Sequence, residues 1–356
     1  PLCSWSVRIP QLTFLRFIAA MLVVLYHYGN ETFVAIWPWL HAVIANGAVA
    51  VAFFLFLSGV VLGINYLKPR LNVAEFLMKR VTRIFPLYLF AFVVTLVLQY
   101  IFLGDLPHGD AIIAQALAVH AWWPPWCLAI NYPGWSVSVE VFLYAFLPAF
   151  AQFFKRLPTA RWFAVLILIW LLSMVVNAFL RAQGHYDAAF VLYFPLWHVG
   201  SFAAGLLCAV VIRRIKERGG AQVGTVPLIG SVLLFAAFFF FPSPLRDLAH
   251  NGGAAPAFFV LIAALALHTG WFSRLLSWLP LQVLGDASYA VYLLQFPVYL
   301  IFTGGRRSGS LAIGELLVYM TVLVATSIFV NRYYERPIRG WVLTKTGQVS
   351  NSDRVS

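Results

Sequence analysis

The chain has 356 residues, 62% of them hydrophobic and only 10% charged, with a mean hydropathy of +0.86. That balance excludes a water-soluble globular domain of this size and reads as an all-α polytopic membrane protein. The formal net charge of +12 would suit nucleic acid, but its distribution along the chain follows membrane topology, and no nucleic-acid partner is expected. Cys3, Cys127 and Cys208 are scattered, with neither a CxxC pair nor metal-ligand spacing. Neither a disulfide framework nor a metal site is therefore expected.

Pro1 to Gln11 lack a signal-peptide pattern, so Leu12 to Tyr28 reads as a retained first span rather than a cleaved leader. Ten apolar segments are expected to cross the bilayer, at about 12–29, 47–66, 83–103, 136–154, 162–181, 189–212, 226–241, 255–270, 282–303 and 311–333. With the N-terminus in the cytoplasm, 20 of the 24 Lys and Arg residues fall on the inner side, and only Arg181, Arg246, Arg306 and Arg307 fall outside. The positive-inside bias then puts both termini in the cytoplasm. Residues 1–341 form one membrane domain, and 342–356 a short polar cytoplasmic tail. No internal repeat is visible.

The first span carries Arg16 and His27. Eleven helical residues advance about three full turns and rise about 16 Å, so the two share one face from near one membrane surface to near the other. Ionisable groups in hydrocarbon usually face a protein interior or a wet cavity. An arginine snorkelling to one interface and a histidine at the other would give the same pattern.

In the second span, Phe53-Phe54-Leu55-Phe56-Leu57-Ser58-Gly59 places small residues in mid-helix. Gly59 and Gly63 read as packing positions, and Ser58 either packs or lines a cavity. Lys79, Arg80 and Arg83 open the third span and offer an anion site of the kind phosphates use. A topological anchor accounts for Lys79 equally well.

The longest polar connection, Gly104 to Gly134, has no Lys or Arg and carries Asp105, His108, Asp110, His120, Trp122, Trp123 and Trp126. Long loops are often functional. Its tryptophans, with Trp37, Trp39 and Trp135, suit an interfacial belt or a stacking platform for sugar rings. The loop runs into Gly134-Trp135-Ser136-Val137-Ser138-Val139-Glu140, where Ser136 and Glu140 share a face and Glu140 enters the hydrocarbon. An intramembrane carboxylate is a functional candidate, and His27 with Glu140 would make a base and its orienting partner. His41, His185, His198, His250 and His268 show no ligand spacing and read as structural.

Together these residues resemble the membrane acyltransferase-3 family, the O-acyltransferases of bacterial surface glycans. The likeness covers almost the whole chain. Arg16 and His27 match the family's Arg-x10-His pattern, and Phe53, Phe54, Ser58 and Gly59 its FFxxSG element with one extra residue. Arg80, Arg83, Ile84, Pro86 and Tyr88 match its RxxRIxPxY-like segment, and Gly134, Trp135, Ser136 and Glu140 its GWSxxxE motif. Leu284, Gly285, Ser288, Tyr289, Tyr292 and Leu293 match the late LGxxSYxxYL element, and Glu335, Arg336 and Pro337 the closing ERP. Where many members place a histidine after the second tyrosine, this chain has Gln295. Glutamine does not exchange protons at neutral pH, which leaves acid/base work to His27.

The resemblance implies an acyl-CoA-dependent O-acetyltransferase of the bacterial inner membrane. His27 and Glu140 would be catalytic. Arg16, Arg80, Arg83 and Ser58 would hold acetyl-CoA, the acyl donor. Trp135, Ser136, Tyr289 and Gln295 would meet a glycan acceptor, free or lipid-linked, of an exopolysaccharide or lipopolysaccharide. Polysaccharide-assembly proteins are the expected partners besides the lipid bilayer. The chain is expected to act without the extracytoplasmic esterase-like domain that some relatives append. The rival reading is a glycan or lipid transporter or flippase, which also needs a polar path through the membrane but consumes no acyl donor.

Overall fold

A computed structural model describes residues 9–33, 37–67, 71–184, 187–219, 222–238 and 248–346. Cys3, Arg8, Lys68, Arg70, His185, Arg246 and Arg354 lie outside the described residues. The described chain is helical, with one isolated bridge between Val223 and His268. This is the expected all-α architecture. Helices are the natural solution here, because they satisfy every backbone N–H and C=O within a segment in hydrocarbon.

The helices are α1 (Pro10–Tyr28), α2 (Pro38–Ala45), α3 (Val49–Tyr66), α4 (Val73–Leu103), α5 (Gly109–Ala116), α6 (Trp135–Lys155), α7 (Thr159–Gln183) and α8 (Ala188–Tyr193). They continue as α9 (Val199–Glu217), α10 (Thr225–Phe238), α11 (Ala255–Leu267), α12 (Trp271–Leu276), α13 (Leu279–Thr303), α14 (Ile313–Val330) and α15 (Arg336–Lys345). Among the described residues, seven helical stretches are long and apolar enough to cross a membrane: α1, α3, α4, α6, α7, α9, and α14 continued into α15. Of the three other expected spans, α10 and α11 are shorter apolar helices and α13 is a 25-residue helix containing Asp286.

Where no hydrophobic force separates lipid from helix, backbones must fit closely to associate. Gly59 of α3 faces Gly205 of α9 so tightly that a Cβ on Gly59 would lie 2.3 Å from the Phe202 carbonyl oxygen, and one on Gly205 2.0 Å from that of Phe56. Gly285 of α13 approaches α1 similarly, its hypothetical Cβ 2.4 Å from the Thr13 carbonyl oxygen. Two interlocked pairs, α3 with α9 and α1 with α13, thus frame the bundle.

The connection after α4 is no open loop. It folds into α5 and three 3-10 turns, with His120 fully buried. The Tyr88 hydroxyl donates to the Gln115 carbonyl, the Gln115 amide to the Asn131 carbonyl (3.3 Å), and the Asn131 amide to the Leu293 carbonyl of α13 (3.0 Å). These bonds fix Tyr132 just ahead of α6.

Candidate active site

A cavity of about 850 Å³ runs between α1, α3, α4, α6, α13 and α15. Arg80 and Arg83 of α4 stand at one end beside Arg336 and Arg339 of α15, at the basic end of the bundle. Arg16, Glu140 and Tyr144 line its middle, and Val51, Ser136, Val137 and Tyr292 its far end. Five arginines against three carboxylates, Glu140, Asp286 and Glu335, leave it cationic in sum.

The charges are arranged, not merely gathered. Arg83 pairs with Glu335 at 2.6 Å, although 252 positions separate them. Glu335 is 1% exposed and takes a second bond from the Asn331 amide at 2.8 Å. Arg336 pairs with Asp286 at 2.6 Å. Arg80 donates to the Tyr66 hydroxyl (3.3 Å) and lies over the rings of Tyr66, Phe76 and Tyr144. Its buried Nε has no partner among the described residues. Arg16, Arg83 and Arg80 all act electrostatically on Glu140. Such a set of cations is chemically suited to an anionic group.

At the far end Ser136 donates to the Tyr292 hydroxyl (2.9 Å), and the Phe54 ring meets Tyr292 edge-on. Tyr289 lines the wall beneath Arg83 and donates to the Ile84 carbonyl (3.2 Å). Ser58 is not a wall residue; its hydroxyl shares a bond with the Tyr144 hydroxyl (2.9 Å), and through it reaches the cavity.

Besides Ser58, three of the expected site residues lie off the cavity wall. His27 occupies the last turn of α1, half-buried, and is not among the cavity's lining residues. Its ring lies 4.7 Å from Tyr132, 5.1 Å from Tyr26 and 6.1 Å from Tyr28, with no hydrogen bond or ion pair to Glu140. Trp135 faces away from the cavity into a cluster with Tyr193, His198 and His250. Gln295 is fully buried one turn beyond Tyr292, its amide on the Tyr292 carbonyl (2.8 Å) and its own carbonyl accepting from Tyr319 (2.8 Å). Of the tryptophans, Trp37, Trp39 and Trp123 are exposed, while Trp122 packs on Phe142 and Phe194.

Glu335, Asp286, Asn331, Arg339 and Tyr144 belong to the cavity without having been singled out as site residues. The available signal was an acidic residue near the end of an otherwise apolar segment, present at both Asp286 and Glu335. Among the described residues, no three His, Cys, Asp or Glu side chains gather as a metal site would require.

This geometry can be set beside known proteins. The acyltransferase domain model matches residues 9–332, which takes in every helix lining the cavity except α15. The chain belongs to the acyltransferase-3 family. Within that family it is 29% identical to acyltransferase MdmB of Streptomyces mycarofaciens, over 87% of this chain and 82% of that protein. It is 23% identical to O-acetyltransferase OatA of Staphylococcus aureus and 24% identical to putative peptidoglycan O-acetyltransferase YrhL of Bacillus subtilis. Each of those alignments covers 93% of this chain, which spans only 57% and 55% of the two relatives' own lengths. No solved structure matches.

Proposed function

We propose that this acyltransferase-3 chain is a membrane O-acetyltransferase that moves an acetyl group from cytoplasmic acetyl-CoA to a hydroxyl of a cell-surface glycan on the outer side. One observation carries the reading: a cavity with an arginine-rich mouth runs along Arg16 and Glu140 to Ser136 and Tyr292, one helical turn short of Tyr132, whose ring lies 4.7 Å from that of His27. The positive-inside distribution supports ten crossings of the bacterial cytoplasmic membrane with both termini inside, so that the basic end faces the pool of acyl-CoA. The names of two relatives support acetyl as the group and a glycan as the acceptor.

In this reading the phosphates of the donor meet Arg80, Arg83 and Arg339. The thin pantetheine arm threads past Arg16 and Glu140 and brings the thioester to the Ser136–Tyr292 end. The acceptor comes from the opposite side, where His27 lies. His27 takes the proton from the acceptor hydroxyl as that oxygen attacks the thioester carbonyl carbon. The carbon–sulfur bond breaks, the thiolate recovers the proton from the imidazolium, and an ester and free CoA result. Glu140 acts inside the cavity, as counter-charge to Arg16, rather than on His27.

The test is thiol release from acetyl-CoA by the protein in lipid nanodiscs, wild type beside His27→Ala, with and without a surface-glycan extract. His27-dependent, glycan-stimulated release is expected. Donor binding without release in the presence of a competent acceptor, or release indifferent to His27→Ala, would overturn the assignment. Neither binding nor release would favour the transporter.

A further inference from the structure

A base that takes a proton becomes a cation, and a half-buried cation needs a partner. Glu140 does not supply it, and among the described residues no carboxylate forms an ion pair with His27. Aromatic rings surround His27 instead. The nearest is Tyr132, whose ring plane is tilted 30° from the imidazole at 4.7 Å between centroids. That lies within the ~6 Å reach of a cation over a π face.

Tyr132 is itself held from several sides. Its hydroxyl donates to the hydroxyl of Tyr28, and its ring lies 4.8 Å from Phe296. Tyr28 is 1% exposed, stacked on Tyr299 at 4.2 Å and met edge-on by the Tyr319 ring at 5.2 Å. Tyr319 in turn is held by donating to the Gln295 carbonyl (2.8 Å). On the backbone side, Asn131 ties the segment to Leu293 of α13. Tyr132 is thus fixed from several sides beside His27, the one imidazole of α1.

Resting on the proposal that His27 is the base, we infer that Tyr132 is its positioning residue: it holds the imidazole in place and stabilises the imidazolium through the face of its ring. The tyrosine network then serves to keep that face aimed, and Gln295 contributes a backbone acceptor to it rather than a proton.

The experiment uses the full chain in nanodiscs, with acetyl-CoA and a surface-glycan extract that supports turnover. Position 132 is replaced by Phe, by phenylalanines carrying one, two and three ring fluorines, and by Leu. Fluorines withdraw density from the ring face while barely changing its shape. Phe should retain most of the turnover, each fluorine should lower kcat by about two- to threefold, and Leu should lower it by about tenfold, with KM for acetyl-CoA constant throughout. Equal kcat across the fluorinated series, or a Phe variant as slow as Leu, would overturn the inference, since shape or the hydroxyl would then be what matters. His27→Ala run alongside separates the two levels. If it turns over like wild type, the base reading itself falls; if it is inactive while the fluorinated series is flat, only the role of Tyr132 falls.

Discussion

Arg83 of α4 and Glu335, just ahead of α15, form a 2.6 Å ion pair that ties the mouth of the cavity to the end of the helical bundle. Glu335 is almost fully enclosed, whereas Arg83 is 24% exposed. Removing the arginine would strand a buried carboxylate, while removing the glutamate would release a cation that still reaches the cavity. Arg83→Ala should therefore lower thermal stability more than Glu335→Gln, by about 3 kcal/mol against about 1 kcal/mol. Thermal unfolding of both variants in one detergent checks the order, and equal losses would contradict it.

Arg80 has no carboxylate partner among the pairs described, and its guanidinium rests on three aromatic rings. It is thus placed for a ligand more than for the fold. Arg80→Ala should raise KM for acetyl-CoA by about tenfold and leave kcat within about twofold, with melting temperature near wild type. A loss confined to kcat would rule out a role in holding the donor's phosphates.

Ser136 and Tyr292 join α6 to α13 at the far end of the cavity. Tyr292→Phe removes one bond there and leaves Ser136 to bond the Pro133 carbonyl, which it already meets at 3.2 Å. Stability should change by about 1 kcal/mol or less. If the thioester comes to rest at this end, kcat should fall with KM for acetyl-CoA unaltered. Steady-state kinetics over a range of donor concentrations would separate the two.

His120 lies outside the membrane-spanning helices, and neither ring nitrogen has a hydrogen-bond partner among the described residues. Burial lowers its pKa from 6.5 to about 3. The unfolded chain therefore binds a proton at His120 below about pH 6.5, which the folded chain declines until about pH 3. Its effect on stability is nil above pH 6.5 and grows more destabilising as pH falls through that window, by up to about 1.4 kcal/mol per unit. His120→Gln should flatten the acid side of a melting-temperature profile; a profile parallel to wild type would contradict this.

The contact between α3 and α9 leaves no room for a methyl group at Gly59 or Gly205. Gly59→Ala should cost about 3 kcal/mol and lower the yield of folded protein, whereas Gly314→Ala, with nothing within 4 Å, should be harmless. Comparing the two in one expression and melting assay distinguishes the packing effect from a general effect of substituting glycine.

The helices and much of the cavity were legible because hydropathy marks segments and period 3.6 marks faces. Arg16, Arg80, Arg83, Ser136 and Glu140, picked out by residue type and spacing, line the cavity, and so does Tyr289, which only the family resemblance had picked out. What sequence does not carry is how one helix is rotated against another. His27 and Glu140 stand at similar depth when each is counted along its own helix, yet Glu140 faces Arg16 while His27 faces Tyr132. The partner of Arg83 was hidden for the same reason, being 252 positions away. The outward turn of Trp135 was within reach, since it is five residues and about 140° from Glu140 on the same helix.

Two walls of the cavity belong to helices locked backbone to backbone, α3 against α9 and α13 against α1. Contacts of that kind do not slide, because any shift drives a Cα into a carbonyl. Each pair therefore moves as a unit, and the bundle is poorly suited to the rocking of halves by which many transporters expose a site to alternate sides. What enters such a cavity by its arginine-rich mouth leaves by the same mouth. That suits a carrier that delivers a small group at the tip of a long arm and withdraws empty.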